Sequence, residues 1–286
     1  MTRRRFPVGK TLLYVFMSLW ALTTIYPFIW VILNSFKPRG LIRSDTFSLP
    51  IGDKFTLENY VTAFKRVDIG TAYVNSIVIS GAVTVVVMVL AGLAAYAMVR
   101  YSFRLRGFLH SMIIASMMFP VFSTIIPVFR MESSWGIVNT GSIWLTRLSV
   151  VLPQIAGNLS FAIIVLMGFI RSLPVDLEEA AYLEGYNVYQ IFFRIIMPLA
   201  KPSVVVTALK VLIYVWNEYI YATTFMTGEQ NYTLAAGLYA LQATEMSGSW
   251  PVFAAASIVV SLPVLIIFFL CQKHMTSGLT AGGVKG

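Results

Sequence analysis

Long apolar runs with almost no charged residues recur along this chain, and each run is about as long as a bilayer is thick. A spanning helix needs about 20 mostly apolar residues. Lipid offers the backbone no hydrogen bonds, so a spanning segment is either a helix or part of a closed barrel. Barrel strands alternate over about ten residues, whereas these runs are continuously apolar. The pattern therefore predicts an all-α, polytopic transmembrane helical bundle. Its six predicted spans are Thr11–Asn34, Ala72–Val99, Gly107–Phe129, Leu148–Ile170, Pro202–Met226 and Val252–Gln272.

The composition supports a membrane protein and argues against nucleic-acid binding. Of the 286 residues, 58% are hydrophobic and only 12% are charged, whereas about a quarter of the residues in a soluble domain are charged. The net charge of +9 comes mostly from Lys and Arg at the ends of apolar runs, where they suit cytoplasmic anchoring and anionic lipid. We therefore expect a lipid environment and no nucleic-acid partner.

The basic flanks predict that both termini are cytoplasmic. The first ten residues carry Arg3, Arg4, Arg5 and Lys10, whereas the last predicted outside loop, Thr227–Trp250, has no Lys or Arg. A signal peptide fits poorly, because its apolar region would span about 7–15 residues and this one is longer. Arg130 and Arg147 lie on the predicted outside and oppose this orientation. We predict a cytoplasmic N-terminus at 1–10, a membrane domain at 11–272 and a cytoplasmic tail at 273–286.

Side chains suited to catalysis or metal binding are scarce. Cys271 is the only cysteine, and His110 and His274 are the only histidines, so no zinc-like ligand set can be assembled. Gly9-Lys10-Thr11 ends like a phosphate-binding loop, but Arg4 occupies the position of that motif's first glycine. An intramembrane enzyme would need a paired nucleophile and base or two carboxylates. The predicted spans contain one carboxylate, Glu218, and one histidine, His110, on different helices. We therefore predict that the chain is not an enzyme.

Proline interrupts several of the predicted spans, at Pro120, Pro127, Pro153 and Pro263. Simple kinking explains these positions. Broken helices that line a polar path explain them equally well, because freed backbone groups must find protein or water. The sequence leaves both interpretations open.

One stretch, residues 174–198, is too polar for lipid and predicts a helix–turn–helix on the cytoplasmic side. Asp176 can cap a first helix, with Glu179 three residues later as in a capping box. Gly185 can end that helix in a left-handed turn. Asn187 can cap a second helix, again with Gln190 three residues on, and Pro198 is expected to end it.

The two predicted helices of this stretch differ in character. The first presents three carboxylates, from Glu178, Glu179 and Glu184, and the second carries an apolar stripe with helical spacing. An interfacial helix lying on lipid is one interpretation, but such helices favour Lys and Arg on the polar face. Docking into a basic groove of a partner protein is favoured.

This stretch resembles the EAA loop of ABC importer permeases. The matching residues are Glu179, Ala180, Ala181, Gly185, Ile195 and Pro198, with Met197 where that family usually has Leu. The C-terminal residues 278–286 resemble the tail of the maltose-type sugar permeases, and the resemblance extends over nearly the whole chain.

The resemblance implies a subunit that forms half of a translocation pathway for a sugar or oligosaccharide. Such permeases pair with a second, similar permease and with a dimer of ATPase subunits that bind ATP and Mg²⁺, and an extracytoplasmic binding protein delivers the solute. The loop is then the ATPase-coupling site. Its implied residues are Glu178, Glu179, Ala180, Ala181, Glu184, Gly185, Asn187 and Pro198. The implied ATPase-contacting residues of the tail are Gly278, Leu279, Thr280, Gly283 and Lys285.

Polar residues inside the fifth predicted span are candidates for the substrate pathway, because ionisable groups at membrane depth are usually functional. Glu218 lies beside Asn217 and among aromatic residues that include Tyr214 and Tyr221. Aromatic faces with hydrogen-bonding groups suit sugar hydroxyls, although a packing network or an interfacial aromatic belt is the alternative. Lys210 in the same span is read as snorkelling to the cytoplasmic surface.

Two other functions remain open at this point. One is an ABC importer permease for another small polar solute. The other is a self-sufficient secondary transporter, which would show inverted repeats and paired broken helices that the sequence does not display.

Overall fold

A computed structural model describes residues 8–138, 140–226, 228, 231–245 and 250–283, with only the backbone described at 8, 43, 121, 243–245 and 273–283. Every regular element in these ranges is helical, in agreement with the predicted all-α class. The long helices are α1 (Val8–Ser35), α4 (Ile69–Arg100), α7 (Ile143–Ser172), α11 (Lys201–Trp216) and α14 (Trp250–Gly283). The shorter ones are α2 (Leu41–Ser44), α3 (Glu58–Arg66), α5 (Arg106–Ser116), α6 (Val121–Ser134), α8 (Asp176–Leu183), α9 (Val188–Ile191), α10 (Met197–Leu199), α12 (Ile220–Phe225) and α13 (Leu234–Glu245).

The chain divides into two compact units, of which the first comprises Met1–Asp68 and Leu238–Ser261. In this unit α1 exposes its apolar residues along almost its whole length, and its most apolar window buries nothing against the described chain. A uniformly apolar, uncovered helix needs lipid or another protein around it.

The segment after α1, in the first predicted outside loop, is folded rather than loose. Lys37 is fully buried, and its ammonium donates to the carbonyl oxygens of Asp45 at 3.2 Å and Thr46 at 2.7 Å. The buried amide of Asn59 donates to the carbonyls of Ser35 and Lys37, each at 2.8 Å. These bonds satisfy backbone groups that follow the end of α1 and hold α3 against them.

The second unit comprises Ile69–Gly237 and Leu262–Gly286, and its core forms where α4 packs against α7. The buried residues of α4 recur at helical spacing on one face. Ala91 and Ala95 are fully buried, and their small side chains allow close helix packing. A Cβ atom on Gly92 would lie 3.3 Å from the Phe192 ring and 3.4 Å from the Met197 sulfur. The missing side chain at Gly92 thus lets the 188–199 segment approach α4 closely.

Four of the six predicted spans coincide with helices that are long and apolar enough to cross a membrane: Gly9–Ser35, Ile69–Arg100, Ile143–Ser172 and Trp250–Gln272. The third and fifth predicted spans are each divided. Residues 107–129 fall on α5, which ends at Ser116, and on α6, which begins at Val121, with a break at residues 117–120. Residues 202–226 fall on α11 and α12, with a break at residues 217–219. The count of six spans therefore stays a prediction.

Candidate functional site

The helix–turn–helix predicted between the fourth and fifth spans is present. Helix α8 ends at Leu183. Gly185, two residues later, has a φ of +87°, a left-handed conformation that other residues adopt with strain. Asn187 then begins α9 with a complete capping box. Its side-chain oxygen accepts from the Gln190 N–H at 2.9 Å, and the Gln190 side chain accepts from the Asn187 N–H at 2.9 Å. The predicted turn and second cap are both confirmed.

The predicted cap at Asp176 is wrong. The N-cap residue of α8 is Val175, and no side chain caps the helix there. Val175 already has helical dihedral angles, φ −68° and ψ −29°, and its carbonyl accepts from the Glu178 N–H at 2.8 Å. Asp176 therefore lies inside the first turn, where its charge favours the positive end of the helix dipole without forming a cap.

The predicted end of the second helix at Pro198 is also wrong. A π-helical turn at Phe192–Ile196 follows α9, and the chain stays helical through Leu199. In this turn the pairing skips one residue, as between the Met197 N–H and the Phe192 carbonyl. Pro198, which has no N–H to donate, therefore lies within a continuous helical run rather than at its end. The bend comes two residues later, where the axes of Val188–Leu199 and Lys201–Trp216 differ by 78°.

Glu178 does not belong to the acidic surface that the sequence predicted. Only 5% of the residue is exposed, and its carboxylate binds the end of α4. One oxygen accepts from Arg100 Nε at 2.5 Å, and the other accepts from the Tyr96 hydroxyl at 2.8 Å. Arg100 also donates to the Leu173 carbonyl at 3.0 Å, just before α8. This cluster, Tyr96, Arg100 and Glu178, fastens α8 to α4.

The apolar stripe of the second helix faces the core of this same chain. Ile191, Phe192 and Ile196 are almost fully buried within the hydrophobic cluster around α4 and α7. The Phe192 ring also packs on Tyr96, with centroids 5.4 Å apart. Because these residues are already covered, the stripe is not available to lie on lipid.

The outer face of the helix–turn–helix combines carboxylates with apolar side chains. Glu179, Ala180 and Glu184 are exposed, and so are Leu183, at 90%, and Tyr189, at 71%. Glu179, Ala180 and Glu184 were predicted as site residues, whereas Leu183 and Tyr189 were missed. The signal in the sequence was their position, since Leu183 precedes Glu184 and Tyr189 lies between Asn187 and Gln190. We call these five residues the docking face.

The predicted tail residues are described only in part. Gly278, Leu279, Thr280 and Gly283 lie on the backbone of α14, which continues through Gly283. Lys285 lies outside the described residues.

The four candidate pathway residues differ in exposure and in their hydrogen bonds. Tyr214 and Asn217 are exposed, whereas Tyr221 is buried with its hydroxyl 3.3 Å from that of Thr124. One oxygen of Glu218 accepts from the backbone N–H groups of Ile220 and Tyr221 at 2.7 and 2.8 Å. Glu218 thus caps α12 at the break in the fifth predicted span, a structural role that the sequence analysis missed.

The Lys210 ammonium lies over aromatic rings on the same unit. It is 3.8 Å from the ring centroid of Phe161 on α7 and 5.3 Å from that of Tyr214. Lys210 is itself exposed, and these cation–π contacts stabilise its charge. The snorkelling interpretation did not foresee these two aromatic partners.

A second polar cluster ties the N-terminal end of α4 to the segment before α13. The Asn75 amide donates to the carbonyls of Asn231 and Tyr232 at 2.9 and 3.1 Å, and its oxygen accepts from Arg147 Nε at 3.0 Å. The neighbouring Ser76 hydroxyl accepts from the Leu234 N–H at 2.9 Å. The buried Arg147 therefore serves this cluster, which explains why a basic residue stands on the predicted outside.

Comparison with known proteins gives a consistent family. The model of the "Binding-protein-dependent transport system inner membrane component" matches residues 88–279, a range that includes the helix–turn–helix. The probable ABC transporter permease protein YurM of Bacillus subtilis is 30% identical over 284 residues, covering 99% of this chain and 91% of that protein. The trehalose/maltose transport system permease protein MalG of Thermococcus litoralis is 33% identical over 279 residues, covering 97% of each. The diacetylchitobiose uptake system permease protein NgcG of Streptomyces coelicolor is 30% identical, covering 94% and 87%.

A solved structure has the same fold. A chain of a bacterial ABC transporter involved in the import of the acidic polysaccharide alginate aligns with a TM-score of 0.79 at 22% identity, covering 96% of this chain and 98% of that one. Fold, loop and sequence likeness therefore agree. The chain belongs to the family of binding-protein-dependent transport system inner membrane components, the ABC importer permeases that its loop resembles.

Proposed function

We propose that this chain forms half of the translocation pathway of an ABC importer for a sugar or oligosaccharide, with the docking face as its contact to the ATPase. The observation that carries this proposal is that the glutamates of the acidic loop have two different environments. Glu178 is buried and holds the loop to α4, whereas Glu179 and Glu184 point outward beside the exposed Leu183.

The chemistry of the docking face defines its partner. Two carboxylates around an exposed leucine suit a cleft with an apolar floor and a basic rim, because charge complementarity orients a contact while apolar burial supplies affinity. A surface of anionic lipid would repel these carboxylates. ATP and Mg²⁺ then belong to the separate ATPase subunits, and the C-terminal residues 278–286 extend toward the interface of the ATPase dimer.

The remaining assembly follows from the uncovered apolar surface and from the relatives. Helix α1 buries nothing of its apolar window within the described chain, so lipid and a second permease subunit are its expected surroundings. The segment 227–250, without Lys or Arg, is the proposed contact for an extracytoplasmic binding protein. In this arrangement both termini are cytoplasmic.

The relatives support a carbohydrate as the transported solute. MalG of Thermococcus litoralis is named for trehalose and maltose, NgcG for diacetylchitobiose and GanQ of Bacillus subtilis for galactooligosaccharides. The alternative is that the importer carries another small polar solute. A thermal-shift screen of the co-encoded binding protein distinguishes this alternative from a carbohydrate solute. Stabilisation by oligosaccharides supports the proposal, and stabilisation by amino acids or inorganic ions alone contradicts it.

Reversing one charge on the docking face tests the central claim. Glu179→Lys should abolish copurification of the ATPase from gentle detergent and abolish uptake, while the variant still inserts into the membrane. Glu58→Lys is the matched control, because it makes the same change on an exposed carboxylate of α3 and should leave the ATPase attached. If Glu179→Lys retains the ATPase and full uptake, the docking face has no coupling role.

A further inference from the structure

Helix α4 is bound at both ends by polar clusters. One cluster includes the docking helix α8, and the other includes part of the segment 227–250. The proposed function assigns these two segments to different partners, the ATPase and the binding protein. At one end, Arg100 and Tyr96 hold Glu178 of the docking helix. At the other end, Asn75 and Ser76 hold the segment Asn231–Leu234 through the three bonds described above. The bonds at the two ends are side-chain contacts between residues more than 70 positions apart in the chain.

The helix between these clusters is continuous and long enough to connect the two sides of a membrane. Asn75 and Arg100 lie on one uninterrupted α-helix, and 25 residues at about 1.5 Å per residue separate them by about 37 Å. That distance exceeds the hydrocarbon thickness of about 30 Å. The two clusters are therefore far enough apart to lie on opposite sides of the hydrocarbon core.

The two clusters are also well suited to transmit a displacement. Each is buried, and each uses directional hydrogen bonds to a carboxylate or to backbone groups. The Asn75 amide is fully buried and uses its oxygen as well as its nitrogen, so a shift of α4 cannot be absorbed there by rotating the side chain without breaking bonds. At the cytoplasmic end the Arg100–Glu178 pair is similarly removed from water.

We propose that α4 is the mechanical connector of the importer, with Asn75 as the positioning residue that couples its outer end to the segment 231–237. This inference rests on the proposed function, because it takes the docking face as the place where the ATPase acts. A displacement of α8 then moves α4, and α4 moves the outer segment. Such coupling needs a physical element that both sites bias, and this helix is bound to both.

Hydrogen–deuterium exchange on the complete transporter, purified through a tag on this chain, tests the connector. Exchange is compared with and without ATP plus vanadate, which traps the ATPase, at residues 176–187 and at 231–237. In the wild type both segments should change. In Asn75→Ala the change at 176–187 should persist, whereas the change at 231–237 should be lost.

A second variant and a matched control keep the outcome interpretable. Ser76→Ala removes only the acceptor of the Leu234 N–H and should reduce the outer change. Asn158→Ala removes another buried amide, whose described bond is to Gln154 within its own helix, and should leave both changes intact. An outer change that survives in both Asn75→Ala and Ser76→Ala overturns the connector. Absence of any wild-type change at 176–187 overturns the proposed docking face instead.

Discussion

Arg100 and Glu178, 78 positions apart in the chain, meet at 2.5 Å with about nine-tenths of each side chain removed from solvent. A buried ion pair contributes little net stability relative to an apolar pair of the same shape, but removing one partner leaves a buried charge unpaired. The pair therefore fixes where α8 lies on α4 more than it adds to the stability of the fold.

Replacing one member of this pair should destabilise the chain more than replacing both. We expect Glu178→Ala to lower the free energy of unfolding by about 3 kcal/mol, because Arg100 and the Tyr96 hydroxyl lose their shared acceptor. The exchange Arg100→Glu with Glu178→Arg should recover part of that loss. Thermal unfolding in detergent compares both variants with the wild type, and equal losses from the single and the double variant would contradict a direct pair.

Gly185 should tolerate few other residues because its φ is +87°. A Cβ atom there meets no neighbour within 4 Å, so the cost of Gly185→Ala is conformational, about 1–2 kcal/mol. Gly185→Asn should be milder, since asparagine enters the left-handed region more readily. Gly40→Ala is the control, because Gly40 has a φ of −74° and equally open surroundings. A Gly185→Ala variant with the Gly40→Ala melting temperature would be evidence against this turn geometry.

Glu132, just beyond the third predicted span, should make stability depend on pH. Burial raises the pKa of its carboxyl from 4.5 to about 7. The native state then binds a proton that the unfolded chain releases, so the free energy of unfolding falls as the pH rises from about 4.5 to about 7. Glu132→Gln should flatten this dependence and be the more stable protein at pH 8, by about 1 kcal/mol or a few °C in melting temperature.

The control for this titration is Glu58→Gln, which changes an exposed carboxylate on α3. Melting temperatures of the three proteins, measured at several values of pH between 5 and 8, make the comparison. A wild-type melting temperature that stays constant over that range, or a Glu132→Gln variant that keeps the wild-type slope, contradicts the assignment.

Two neighbouring residues of the fifth predicted span should respond differently to substitution: Glu218 has a structural role, and Asn217 is a candidate solute contact. Glu218→Gln should lower the melting temperature, because the carboxylate caps α12. Asn217 is exposed, and among the described residues its side chain bonds the Ile213 carbonyl of the preceding helix at 2.7 Å. Asn217→Ala should therefore keep the melting temperature while raising the KM of uptake several-fold. Wild-type affinity and selectivity in both variants would remove these residues from the solute pathway.

Features set by neighbouring residues were predictable from the sequence. The turn at Gly185 and the capping box of Asn187 with Gln190 depend on residues within a few positions of each other, and both are present. The error at Asp176 has the same local origin. The helix begins one residue before the predicted cap, because Val175 already has helical dihedral angles.

Features that depend on distant partners were not predictable. Nothing near Glu178 distinguishes it from Glu179, yet one carboxylate is buried on Arg100 and the other is exposed. The sequence indicates only that Arg147 is a charge on the predicted outside, whereas in the structure its Nε donates to the Asn75 side chain. In each case the partner lies more than 70 residues away, and a single sequence contains no signal that pairs them.

The π-helical turn at Phe192–Ile196 amounts to one extra residue accommodated within a helix. Deleting a single residue there would favour ordinary α-helical pairing, in which the ring of Pro198 clashes with the carbonyl four residues earlier. All side chains from Met197 onward would also rotate by about 100° around the helix axis. Among relatives that keep this proline, the length of the segment between the asparagine cap and the proline should therefore vary less than its composition.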